Sequence, residues 1–159
     1  MTVKKIVALI FVMTILCSFF SCFAYENPVL NSLGEYKSKE YYSHGGFQDY
    51  TDYGKYYYES VDFTDNEYFN LLENTPDLLL FMNCLNDFED MIDTIKKSNK
   101  NDELVVNYDF DSSTVDDTDY FYIESETHTW ESGNTSFVKY DVYFYDVQTN
   151  VLYYFHNNI

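Results

Sequence analysis

Residues 76–97 read PDLLLFMNCLNDFEDMIDTIKK, and the spacing of their apolar positions decides the fold class. Leu78, Phe81, Leu85, Phe88, Ile92 and Ile95 recur at alternating intervals of three and four, the repeat of one helical face. Cys84 and Met91 widen that stripe, while Asn83, Asp87, Asp90, Asp93 and Lys97 take the other side. Thr75 stands at the N-cap position, Pro76 at the first helical position, and Asp77 where the positive helix end favours an acid. Lys96, Lys97 and Lys100 close the segment where cations are favoured. A helix with one apolar stripe needs a second layer to cover it.

Downstream the period changes to two. In ELVVNYDFD, residues 103–111, Leu104, Val106, Tyr108 and Phe110 share one face of a predicted strand. Further strands are predicted over 119–130, 137–146 and 151–156, with hairpin turns at 132–135 and 147–150. Upstream, Thr64-Asp65-Asn66-Glu67 fits a capping box that opens a short helix running to Glu73. The expectation is an α+β domain over 56–159: one long amphipathic helix, with a short preceding helix, packed on a four-stranded antiparallel meander. Residues 56–63 read as a further strand candidate. Residues 25–55, rich in tyrosine, serine and glycine without a clear period, read as a loosely ordered arm.

The first 24 residues have the form of a secretory signal peptide. Lys4 and Lys5 precede an uncharged, almost wholly apolar run from Ile6 to Phe20, and small residues close it at Ala24. That run falls short of the roughly 20 residues of a bilayer-spanning helix, so no stable membrane span is expected once the leader is removed. A lipid anchor on Cys22 is disfavoured, because Phe19 stands where such signals carry leucine. With Cys17 and Cys22 removed, Cys84 is the one remaining cysteine, and an internal disulfide is excluded. Secretion by a Gram-positive bacterium suits such a chain better than an oxidising endoplasmic reticulum.

The formal net charge is −18, and the chain contains no arginine. Phosphate backbones are held by Lys and Arg, so nucleic acids are excluded as natural partners. A protein or a glycan is the expected partner class, with weak calcium binding in the aspartate-rich loop 109–119 as a further option. That loop fails the EF-hand pattern, with Thr114 in place of the required Gly and Tyr120 in place of the bidentate Glu.

Turn lengths predict the strand register. A four-residue turn at 147–150 sets Asp146 opposite Val151, and one at 132–135 sets Glu131 opposite Ser136. If Val138, Tyr140, Val142 and Phe144 face the helix, Phe121, Ile123, Val151, Tyr153 and Phe155 join them. The other face then carries Tyr120, Tyr122, Trp130, Phe137, Tyr143, Tyr145, Leu152 and Tyr154. Tyr122, Tyr145 and Leu152 would share a row, and so would Glu126, Asp141 and His156. Contiguous aromatic area of this kind marks interaction surfaces. Either the tyrosine-rich arm covers it or it is an open platform. Tyr122, Trp130, Tyr143, Tyr145 and Tyr154 are the candidate binding residues.

Catalytic motifs are missing from the sequence. Cys84 lies on the apolar stripe, where a free thiol is an inert hydrophobe. His44 has no local partner, and no nucleophile-turn, HExxH or phosphate-loop pattern occurs. A secreted, non-enzymatic surface or interaction protein without a cofactor is therefore expected. A small hydrolase using sheet carboxylates and an acidic inhibitor of a basic secreted enzyme are the alternatives.

Overall fold

The computed structural model describes residues 27–45, 49–73, 75–129 and 135–158; the predicted leader, residues 1–24, and Trp130 lie outside them. The chain divides into two units, 1–32 and 33–159. The described part of the first is α1 (Pro28–Asn31), with Pro28 at its start and the Asn27 carboxamide accepting from the Val29 and Leu30 N–H groups.

The second unit is α+β, built on a six-stranded antiparallel sheet and one long helix. Its strands are β1 (Ser38–Gly45), β2 (Tyr50–Tyr57), β3 (Asn70–Leu71), β4 (Tyr120–Thr129), β5 (Thr135–Asp146) and β6 (Val151–Asn158). Their order across the sheet is β1-β2-β6-β5-β4-β3. The long helix α2 (Leu78–Ser98) comes between β3 and β4, followed by a short helix α3 (Glu103–Asn107) and a 3₁₀ turn at Ser112–Thr114.

The apolar stripe of α2 is buried from Phe81 onward as its spacing predicts, while Leu78, its first member, is 37% exposed. Phe81, Cys84, Leu85, Phe88, Ile92 and Ile95 are buried against Tyr53, Phe121, Tyr140, Val142, Phe144 and Phe155 of the sheet. The helix begins at Leu78, two residues later than a Thr75 cap would set it. The first long helical bond runs from the Phe81 N–H to the Asp77 carbonyl. Burial pushes the Cys84 thiol up to about 12, with Asp87 adding to the shift. A thiol reagent should therefore leave native Cys84 untouched and modify it after denaturation. Rapid labelling of folded protein would show the stripe to be misplaced.

Three expectations are corrected. Residues 38–45 and 50–57 are paired antiparallel strands rather than parts of a loose arm, and β2 pairs along its whole length with β6. The strand expected over 103–111 is instead α3 and an extended stretch. The Asp102 carboxylate accepts from the Leu104 N–H, and that cap starts a helical turn which leaves Leu104 buried and Val106 65% exposed. No helix forms between Thr64 and Glu73. Asp62 accepts from the Thr64 N–H and Asn66 from those of Tyr68 and Phe69, while Asp65 adopts a positive φ of 62°. Side-chain turns of this kind compete with the helix that the capping box would open.

The β5–β6 register is the expected one, Asp146 opposite Val151, with Asn150 at φ 56° in the turn. Between β4 and β5 it differs, since Tyr122 faces Tyr143 rather than Tyr145. The partner of Glu126 is Lys139 and that of Thr127 is Phe137, so Val138 is the extra residue of a bulge. The net offset from the expected pairing is even, so residues 120–126 keep their faces. Phe137 does not, because the bulge turns it toward the core, edge-on to Tyr140 at 5.4 Å.

Candidate functional site

The face of the sheet opposite α2 carries two parallel rows of side chains. Register aligns Tyr122, Tyr143, Tyr154, Gly54 and Tyr41 across β4, β5, β6, β2 and β1. Their rings form a chain: Tyr122–Tyr143 at 6.1 Å, Tyr143–Tyr154 at 4.9 Å and Tyr154–Tyr41 at 6.3 Å. Gly54 makes the last step possible. A Cβ there would lie 3.2 Å from the Tyr41 ring and 3.5 Å from Tyr154 Cβ, so the bare backbone gives the two rings room to meet.

The β4 end of this face is covered, though not by the segment expected. The chain between β2 and α2 lies over it, stacking Phe63 on Tyr120 at 3.9 Å and setting Tyr68 edge-on to Tyr122 at 5.4 Å. Tyr58 and Phe63 pack edge-on against Tyr145. Of the predicted binding residues, Tyr143 is 4% exposed and Tyr145 2%, so both form the floor of the face. Tyr122 and Tyr154 are half-buried and retain an open edge. The row expected to join Tyr122, Tyr145 and Leu152 splits in two, with Tyr145 and Leu152 aligned instead with Tyr120 and Tyr56.

The second row is polar: Glu124, Asp141, His156 and Asp52. Asp141 and His156 meet as expected, while Glu124 takes the place expected for Glu126. The His156 Nδ1 lies 2.8 Å from Asp141 Oδ1, the Tyr154 hydroxyl donates to the same oxygen at 2.7 Å, and Lys139 Nζ stands 3.5 Å from Oδ2. Burial works to raise the Asp141 carboxyl, but the bonds from His156 and Tyr154 outweigh it and hold the group below its ordinary range. The Tyr154 phenol moves the opposite way, raised by burial and by the Asp141 charge. Tyr50 stacks on the His156 ring at 4.7 Å, and His156 Nε2 is buried with no hydrogen-bond partner.

Beside Asp141 the surface dips into a shallow recess of about 140 Å³, lined by Glu124, Ser125, Glu126, Lys139 and Asp141. Glu124 and Glu126 are exposed. The recess thus offers two open carboxylates, one ammonium group and a neighbouring tyrosine edge. That set can accept from hydroxyl or ammonium groups, while Asp141 is already bonded to its own sheet.

Four of the five aspartates of the loop 109–119 accept hydrogen bonds from within the chain. Asp109 binds Lys55 and Tyr53, Asp111 accepts from the Ser113 N–H, and Asp116 accepts from Thr118. Asp119 is buried and accepts from the Val147 and Asp116 N–H groups; desolvation raises its carboxyl. Among the described residues no cluster of three or more His, Cys, Asp or Glu side chains could hold a metal ion. No described helix is long and apolar enough to cross a membrane.

Neither a protein-family model, nor a curated protein, nor a solved structure matches the chain. The site therefore stands on its own chemistry. What sequence reasoning missed was the contribution of β1 and β2. The signal for it was Gly45-Gly46 between two tyrosine-rich runs, a hairpin pattern.

Proposed function

We propose that this is a secreted, non-enzymatic interaction protein that binds a glycan or a protein through the acidic, aromatic face of its sheet. The observation that supports this most is the alignment of the tyrosine row with the exposed Glu124 and Glu126 on one face. Tyrosine edges give flat apolar contact and a hydroxyl, and open carboxylates accept from hydroxyl or ammonium groups. Tyr122, Tyr154, Glu124 and Glu126 are the contact residues in this reading, and Tyr143 and Tyr145 hold them in place from below.

A second reading is favoured by one specific observation, the recess that gathers Glu124, Glu126 and Asp141. Paired carboxylates about 5–10 Å apart in a cleft are the equipment of a glycoside hydrolase. One pair of variants separates the two. Glu124→Gln with Glu126→Gln should weaken retention on a glycan array or on immobilised polylysine by about tenfold or more, without any hydrolysis product from the parent protein. Turnover of a glycan by the parent, abolished in the variant, would establish the hydrolase instead. An acidic inhibitor of a basic enzyme would differ from both by selective capture of one cationic protein, lost steeply with added salt. Unchanged retention by the double variant removes the proposed site.

A further inference from the structure

The two edges of the sheet are unlike. One ends in β3, two residues long, as edge strands that resist pairing commonly are. The other is β1, eight residues in unbroken register with β2. An edge strand turns every second backbone N–H and C=O away from its neighbour, and only another extended chain satisfies such a row in full.

The side chains of β1 divide by face. Glu40 accepts from Lys55 and Tyr57, and His44 pairs with Asp102 at 2.7 Å, so the α2 side is committed to this chain's own fold. On the opposite side Lys39, Tyr41, Ser43 and Gly45 are exposed. Tyr41 is 45% exposed and terminates the tyrosine row, which Tyr68 closes at its other end and nothing described closes here. Tyr36, 40% exposed and packed edge-on against Tyr56, widens the same margin.

Charge selects the occupant. The chain as a whole carries −18, yet within Ser38–Gly45 the full charges are Lys39 and Glu40, which cancel. A basic partner would find its complement elsewhere on the molecule, whereas a second copy meets no net repulsion at this strand. We infer that β1 is a homotypic interface, pairing antiparallel with β1 of a second copy so that the two sheets become one. The register that fits sets Tyr41 opposite Tyr41 of the second copy, Lys39 opposite its Ser43 and Glu40 opposite its Tyr42. Slipping one way brings Glu40 against Glu40, then Lys39 against Lys39. Slipping the other way sets Tyr41 against Ser43 or Gly45 and breaks the aromatic row. Like charges directly opposite destabilise a sheet, and aromatic pairs stabilise it.

Cysteine crosslinking reads this register directly. Opposite residues of an antiparallel pair have Cα atoms about 4.5–5.5 Å apart, within disulfide reach. Tyr41→Cys should oxidise to a covalent dimer, and a mixture of Lys39→Cys with Ser43→Cys should form the mixed dimer in preference to either symmetric one. Cys84 is buried and does not compete. By sedimentation the unmodified chain should dimerise reversibly, and more strongly as salt screens the two net charges. Tyr41→Lys, which sets two ammonium groups face to face, should weaken association about tenfold. A chain that stays monomeric at every concentration and salt tested overturns the inference. So does Lys39→Cys self-crosslinking as fast as Tyr41→Cys, or association that weakens with salt.

Discussion

Replacement of Phe88 by alanine is expected to cost about 3–5 kcal/mol of stability, a large share of the 5–15 kcal/mol typical of a folded domain. Phe88 is wholly buried and stands where α2, β2, β6 and the chain following α3 converge. Its ring lies 5.2 Å from Phe155, 5.7 Å from Tyr108 and 6.5 Å from Tyr53. Three aromatic neighbours fixed by separate strands and turns cannot collapse together, so the substitution leaves a cavity as well as lost contact. Leu79→Ala on the same helix is the control. Leu79 is 72% exposed, and its truncation should change stability by no more than about 0.5 kcal/mol. Urea titrations of the two variants measure the contrast, and equal midpoints would mean that α2 packs by another face.

Loss of the Lys55 ammonium is the second expected effect, and its size depends on pH. Lys55 lies on the α2 side of β2, nearly buried, with its Nζ 2.8 Å from Asp109 and 2.9 Å from Glu40. Tyr53 donates to Asp109 as well, so one cation and one phenol tie both β1 and the segment after α3 to β2. Lys55→Ala should cost about 1 kcal/mol at neutral pH, because it strips a partner from two ionised carboxylates that are 60% and 41% exposed, where solvent screens much of the loss. Burial works to raise the Asp109 carboxyl, but the bonds from Lys55 and Tyr53 prevail and leave it below its ordinary range. Glu40 is lowered too, chiefly by Lys55 and Tyr57. Groups depressed on folding contribute stability above their unfolded pKa, near 4, and lose it as pH falls through the folded value. The deficit of Lys55→Ala should therefore be full at pH 7 and shrink toward pH 2, where the carboxylates are protonated in both states. A deficit of equal size at both pH values would mean that the side chain acts by packing alone.

The parts of this fold legible in the sequence are those set by a single dominant period. The α2 stripe, the faces of Phe121, Ile123, Val142 and Phe144, and the turn before Val151 all follow from spacing. Tyrosine defeats that method in the hairpin, because it stands on both faces of β1 and β2. Tyr41 and Tyr42 alternate correctly, yet neither reads as inside or outside. At 103–111 an alternating pattern was overridden by one capping carboxylate, Asp102, whose bond to Leu104 is local and forms regardless of the downstream period. The bulge at Val138 left no mark in composition; together with the pairing beyond it, which sets Thr129 opposite Thr135, it shifted by two residues which aromatic residues stand side by side without moving residues 120–126 across the sheet. The candidate site was legible as a face and not as a set of contacts. Asp141 and His156 were placed together correctly, whereas the burial of Tyr145 depends on a cover, Tyr58 and Phe63 between β2 and α2, that reads as a strand candidate in sequence.

The last strand in chain order, β6, lies in the interior of the sheet, between β2 and β5. The hairpins β1–β2 and β4–β5–β6 can each form from neighbouring residues, but the seam between them joins positions such as Thr51 and Asn157, 106 residues apart. Closing so long a loop is entropically slow, and the seam is the step that completes the core around Tyr53 and Phe155. A chain emerging from one end therefore holds β2 with an open flank through almost its whole synthesis. During that interval two half-sheets rich in tyrosine wait for each other, and the moment of assembly belongs to the final strand.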